Sequence, residues 1–243
     1  MVGKDVRPGE HSILREVTLV LDRSGSMRGN KLASVKEAAK QIVSGLNPGE
    51  RFNIITYNEG VNLFEAAPVE KNGASEKAAH AWLDAVVARG GTNMHEALAA
   101  ALSQPSHEGM LPVVLFLTDG LPTIGRTSEK SIAALAGEGN RAERRIFTIG
   151  VGEDVNAPLL RRMAEISGGL PCYILSGENL EVKLSQVFRQ LYGPVFRKVR
   201  YTVCSPDGRE QPGRVQDAIP SGVLPDISRR SGREVHRYGT FPD

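Results

Sequence analysis

The chain has 243 residues, with 30 Lys and Arg against 28 Asp and Glu and 40% hydrophobic residues, the make-up of a globular protein long enough for a sizeable core. A net charge of +2 offers no bulk electrostatic attraction for nucleic acid. The longest apolar run, Ala97 to Leu102, falls far short of the roughly 20 residues of a membrane span, so no membrane span is expected; residues 1–15 carry Lys4, Asp5, Arg7, Glu10 and Arg15 and do not read as a signal peptide.

From residue 15 onward, short β-branched runs alternate with stretches of helical spacing. Glu16–Leu21 reads as a strand, followed by a helix over 30–46 with Leu32, Val35, Ala39, Ile42 and Leu46 inward. Asn47-Pro48-Gly49 stops that helix. Arg51–Tyr57 is a second strand and Val61–Val69 a third, with Pro68 suited to an edge. A helix over 75–88 places Ala78, Trp82, Leu83 and Val86 in the core. Gly90-Gly91-Thr92 breaks the chain, and Asn93 with Glu96 caps the next helix, which runs to Leu102.

Pro112–Thr118 is the most continuously apolar strand, as in a parallel sheet buried on both faces. A helix over 128–139, a strand Arg145–Val151, a helix Ala157–Ser167, a short strand Cys172–Leu175 and a helix over 178–192 follow. This alternation predicts an α/β fold: a doubly wound, mostly parallel six-stranded sheet with six helices distributed over both faces. Residues 1–14 are a lead-in and 15–193 the α/β domain. Residues 194–243 hold an extra strand ending at Val203 and an irregular tail with five of the 14 prolines, read as part of a truncated β module. Cys172 and Cys204 lack the spacing of a zinc site, while a single disulfide between them stays open.

The first strand ends in Asp22-Arg23-Ser24-Gly25-Ser26, and the buried strand ends in Thr118-Asp119-Gly120. Ligands of doubly wound sheets bind outside the carboxyl ends of the strands, where strand order reverses. If the two strands are neighbours there, Asp22, Ser24, Ser26, Thr92 and Asp119 converge as a metal site. All five carry hard oxygen donors, which favours Mg²⁺ or Mn²⁺, with Ca²⁺ less favoured, over zinc or copper. Helix capping explains the Asp and Ser residues singly but not the joint arrival of Thr92 and Asp119. The glycine-rich SGSMRGNK stretch lacks phosphate-loop spacing.

Flanking residues read more plainly. Arg23 and Met27 point outward, Asp154 and Asn156 form a turn, and His80, His95 and His107 share no spacing. The RAERR run at 141–145 reads as a solvated helix end or loop, and Cys172 as an inert core thiol.

LVLDRSGSM, the GGTN loop and FLTDG together resemble the von Willebrand factor type A domain with its metal-ion-dependent adhesion site (MIDAS). NPGERFNIITYN, ARGGTNMHEAL, VLFLTDGLPT, RRIFTIGVGEDVN and ENLEVKLSQVF look like the inter-alpha-trypsin inhibitor heavy chain branch and its bacterial relatives. The resemblance implies that Ser24, Ser26 and Thr92 act as ligands, with Thr92 direct or water-bridged, and that Asp22 and Asp119 hold metal-bound waters. It implies a non-enzymatic adhesion module whose protein partner completes the shell with an acidic side chain. It also implies a piece of a longer protein, acting outside the cytoplasm or at a cell surface. Two other readings stand beside it: a Mg²⁺-dependent phosphoryl-ester hydrolase using Asp22, and a purely structural scaffold.

Overall fold

A computed structural model describes residues 14–175, 177–179, 182–183, 186–187, 201–203 and 235–237. The chain divides into two compact units, one of Ile13–Gln190 and one of Met1–Ser12 with Leu191–Asp243.

The larger unit is built on one sheet. Its strands are β1 (Arg15–Asp22), β2 (Arg51–Tyr57), β3 (Val61–Leu63), β4 (Val69–Glu70), β5 (Leu111–Thr118), β6 (Arg145–Val151) and β7 (Pro171–Ile174). The order is β3-β2-β1-β5-β6-β7, with β4 also paired to β2. β1, β2, β5, β6 and β7 run parallel. β3 and β4 are antiparallel to β2. Every residue of β1 and β5 is buried, because these two neighbours are covered on both faces.

Five α-helices lie among the described residues: α1 (Asn30–Ser44), α2 (Gly73–Asp84), α3 (Met94–Ser103), α4 (Glu129–Gly137) and α5 (Ala157–Ser167). On one face Val35, Ala39 and Ile42 of α1 meet Leu19, Leu21, Leu115 and Leu117. On the other, Val20, Val114 and Phe116 pack with Met94, Leu98, Ile132, Leu160 and Met163 of α3 to α5. Each Val, Leu, Ile, Phe or Met among them contributes roughly 1.5–3 kcal/mol on full burial.

The expected third strand, Val61–Val69, is two short strands instead. The Asn53 side chain takes both the Glu65 N–H (3.1 Å) and the Glu65 carbonyl (2.7 Å), so a side chain replaces a ladder partner at the break. The sheet therefore has seven strands rather than six. The helix expected over 75–88 is shifted toward the N-terminus. Asn72 caps it earlier, accepting from Ala74 and Ser75 N–H. The Lys36 ammonium takes the Asp84 and Val86 carbonyls at its end (2.8 and 3.2 Å), which stops the ladder.

Arg144, expected in a solvated segment, is 1% exposed. Its guanidinium bonds the carbonyls of Ala101, Gln104 and Pro105, covering acceptors left open at the end of α3. It lies 3.7 Å from the buried Glu16 carboxylate. His107 is paired as well: its Nδ1 lies 2.6 Å from the same carboxylate.

In the smaller unit, β8 (Tyr201–Val203) and β9 (Val235–Arg237) pair in parallel. Most of the helix expected over 178–192, and Cys204 with its open disulfide, lie outside the described residues.

Candidate metal site at the carboxyl edge of the sheet

Adjacency of β1 and β5 sets Asp22 and Asp119 side by side at the carboxyl edge. The chain leaves β1 toward β2 on one side and later enters β5 on the other, so this is the point where strand order reverses.

Asp22 is fully buried. Its Oδ1 accepts from the Ser24 N–H at 2.8 Å. Its Oδ2 accepts from the Thr118 hydroxyl at 2.8 Å and the Tyr57 hydroxyl at 3.3 Å. Burial raises its pKa above the ordinary 3.8, the nearby Asp119 charge adds to that, and the Ser24 and Thr118 hydrogen bonds offset part of it. The Tyr57 hydroxyl is held well above its ordinary value by burial and then by the Asp22 charge.

A single 3-10 turn, Gly25–Met27, follows β1 and folds the two serines together. Ser24 Oγ and Ser26 Oγ are 3.0 Å apart, and the Ser26 hydroxyl donates to Asp119 Oδ1 at 2.7 Å. Asp119 Oδ2 accepts from the Lys31 ammonium at 2.8 Å. Asp22, Ser24, Ser26 and Asp119 are thus joined, the first pair through the Ser24 N–H and the rest oxygen to oxygen.

Thr92 belongs to a loop locked onto the same edge. The Gly90 carbonyl accepts from Gly25 N–H (2.9 Å), and the Thr92 carbonyl accepts from Thr123 and Ile124 N–H. The Thr92 N–H donates to the Thr123 hydroxyl. Gly90 has φ +74°, and a side chain on Gly91 would sit 2.6 Å from Ile124, so both glycines answer to a close approach. Thr92 itself is buried, and among the described residues its hydroxyl has no hydrogen-bond partner. It is not part of the Asp22–Asp119 chain.

These side chains fit a hard divalent cation on two observations of their own. Three hydroxyls and two carboxylates are the donor types such ions take. A positive charge, the Lys31 ammonium, already lies against the Asp119 carboxylate, whose side chain is fully buried. Among the described residues no group of three or more His, Cys, Asp or Glu is placed to hold a metal ion.

Sequence reasoning missed Tyr57, Thr118 and Lys31. Thr118 stood in plain sight before Asp119. Tyr57 ends β2, and only the register with Asp22 brings it in. Arg23 and Met27, expected to point outward, are 6% and 0% exposed. Arg23 is held through its backbone, N–H to the Tyr57 carbonyl and carbonyl to the Arg89 N–H (both 2.8 Å), and its side chain turns in to Asn58 (3.1 Å). The Asn93 cap is as expected, accepting from Glu96 N–H and donating to Glu96 Oε2. Asn156 caps α5 through Leu159 N–H. His95 has its pKa lowered by burial and then by Arg126, and it makes no bond to the five residues.

A family model described as the von Willebrand factor type A domain matches residues 15–171. Among curated proteins, the chain is 29% identical over 195 residues to mouse inter alpha-trypsin inhibitor, heavy chain 4, covering 77% of this chain and 21% of that protein. Human inter-alpha-trypsin inhibitor heavy chain H4 is 27% identical over 195 residues, with the same coverage. The chain thus spans about a fifth of the length of these relatives.

Solved structures share the fold, among them the following three. A von Willebrand factor type A protein from Catenulispora acidiphila has TM-score 0.65 and 23% identity, over 74% of this chain and 42% of that one. Proximal thread matrix protein 1 from the mussel byssus, with a zinc-occupied MIDAS motif, has TM-score 0.58 and 22% identity, over 74% and 45%. The pilus adhesin SpaC of Lactobacillus rhamnosus GG, in its open conformation, has TM-score 0.62 and 14% identity, over 74% and 30%.

Proposed function

Since the chain belongs to the von Willebrand factor type A family, we propose that it is a metal-dependent protein-interaction module, with the divalent cation held by Ser24, Ser26, Thr92, Asp22 and Asp119. The observation that carries this reading is the hydrogen-bonded set at the strand-order reversal, in which the Ser24 N–H holds Asp22 and the Ser24 and Ser26 hydroxyls lead to Asp119. Ser24, Ser26 and the unpartnered Thr92 hydroxyl are the ligands of first choice; Asp22, with three of its roughly four acceptor sites taken by Ser24, Thr118 and Tyr57, serves through water, as does Asp119. When bound, Mg²⁺ or Mn²⁺ supplies an open coordination position that takes an acidic side chain of a protein partner.

A hydrolase would use Asp22 as nucleophile, but three hydrogen bonds and complete burial hold that carboxylate away from a substrate. No helix among the described residues is long and apolar enough to cross a membrane. The likeness to the heavy chains supports action outside the cytoplasm.

Thermal unfolding in Mg²⁺, Mn²⁺, Ca²⁺, Zn²⁺ and EDTA, on wild type and Ser24→Ala, tests the site. An ion at 100 times its dissociation constant stabilises the fold by about 2.7 kcal/mol, or about 5–10 °C for a unit of this size. Ser24→Ala is expected to lose that shift. No shift with any ion in wild type, or an equal shift in the variant, overturns the assignment. Metal-dependent turnover of a phosphate ester, abolished by Asp22→Asn, would replace the binding reading with the hydrolase.

A further inference from the structure

Beside the metal site a groove of about 670 Å³ opens, and none of the five oxygen-bearing residues lines it. β3 forms one wall. The end of α2 and the segment after it form the other, with Trp82, Val86 and Arg89, and Arg23 also lines it.

Arg23 is 94% buried, being 6% exposed. Its Nη2 donates to Asn58 Oδ1 at 3.1 Å, and the Asn62 amide, oriented to satisfy its own bonds, accepts from the same nitrogen at 3.1 Å. Its Nε is buried with no partner. Arg89 is close enough for its charge, after burial, to lower the Arg23 pKa. Among the described residues no carboxylate pairs with either guanidinium. A buried N–H without an acceptor is costly; with Arg23 Nη2 already donating to two amides, the open Arg23 Nε–H and the exposed Arg89 guanidinium are the donors left to meet a carboxylate.

Apolar surface flanks the cations. Trp82, expected in the core, is only half-buried, with its ring edge-on to Phe64 at 5.9 Å. Leu63 and Val87 are 38% and 60% exposed. Val61, Asn62 and Leu63 all line the groove, although successive side chains of a strand point to opposite faces. The groove therefore follows the outer edge of β3, which ends the sheet order and pairs with β2 alone among the described residues, the kind of edge that an added strand can extend.

We propose that this groove binds an extended peptide segment of a protein partner, placing one acidic side chain on Arg23 and Arg89 and an adjacent apolar side chain against Trp82 and Leu63. The inference does not rest on the metal, and its test is run in EDTA so that the two stand or fall separately.

Trp82 is the only tryptophan in the chain, so its emission reports on the groove. The full chain is titrated with the peptides Ac-Leu-Glu-Leu-NH2 and Ac-Leu-Gln-Leu-NH2 and with hexanoate. The expected result is a saturable change in emission with the Glu peptide, at least tenfold weaker binding of the Gln peptide, and weaker binding of hexanoate. Arg89→Gln, at an exposed position, is expected to weaken the Glu peptide about tenfold and leave the Gln peptide unchanged, with circular dichroism as in wild type. Arg23→Gln is expected to weaken the Glu peptide at least as much. No saturable change, equal affinity for the two peptides, or no effect of Arg89→Gln overturns the proposal. Hexanoate binding as tightly as the Glu peptide overturns the peptide assignment in favour of a small-carboxylate site.

Discussion

Lys31→Met separates the metal-free site from the loaded one. The Lys31 ammonium lies 2.8 Å from Asp119 Oδ2, with 42% of the Lys31 side chain exposed and none of the Asp119 side chain. A hydrogen bond to a charged group contributes about 1.5–3 kcal/mol, and solvent around the exposed half of the pair reduces this to about 1 kcal/mol. Urea unfolding in EDTA is therefore expected to show a loss of about 1 kcal/mol. On the proposed metal reading, a cation at the site would compete with the ammonium for Asp119 and confine the Lys31 contact to the metal-free protein. The thermodynamic cycle then returns the same free energy as tighter Mg²⁺ binding, about fivefold by titration calorimetry. Loss of stability in EDTA with unchanged or weaker Mg²⁺ affinity would mean that Lys31 stays on Asp119 when metal binds. Unchanged stability in EDTA would mean that the contact contributes nothing. Either result refutes the reasoning.

The remaining predictions follow from burial. The folded-state pKa of Asp22 is raised above 3.8, so the folded protein holds this proton more tightly than the unfolded chain does. Its contribution to stability is complete below pH 3.8 and is lost as pH rises through the folded pKa; in EDTA the stability of Asp22→Asn relative to wild type should rise across that window and then level off, and a flat difference counts against it. Arg144→Met removes the cation 3.7 Å from Glu16 Oε1, leaves His107 on Oε2, and uncovers three carbonyls, which should cost about 3–5 kcal/mol in urea unfolding; a loss below about 1 kcal/mol contradicts the burial argument. Leu115→Ala opens a cavity under α1 in a wholly buried strand and should cost about 2–5 kcal/mol, with a near-neutral result excluding a central role for β5.

Periodicity made the scaffold legible because it is a local property. Alternating short apolar runs and helical stretches follow from burial of one or both faces, and Arg51–Tyr57 and Arg145–Val151 end where the pattern ends. The candidate site was legible for a different reason: strand ends are visible in sequence, and loops at the carboxyl edge of such a sheet gather in one place. The sheet order then put Asp22 beside Asp119.

What the amino-acid sequence determined by itself was therefore the α/β class, the order of elements and the oxygen donors at two strand ends. Tertiary structure alone decided which long polar side chains turn inward. Arg144 reads as solvated in sequence and becomes core because the end of α3 presents bare carbonyls to it. Arg23 reads as a rim residue and is buried because backbone bonds on both sides hold it between β2 and the Arg89 segment. Trp82 reads as core and instead lines a groove opposite β3, its ring edge-on to Phe64. Each depends on a partner distant in sequence, and a charge or ring is buried or exposed according to what packs against it, which no local pattern encodes.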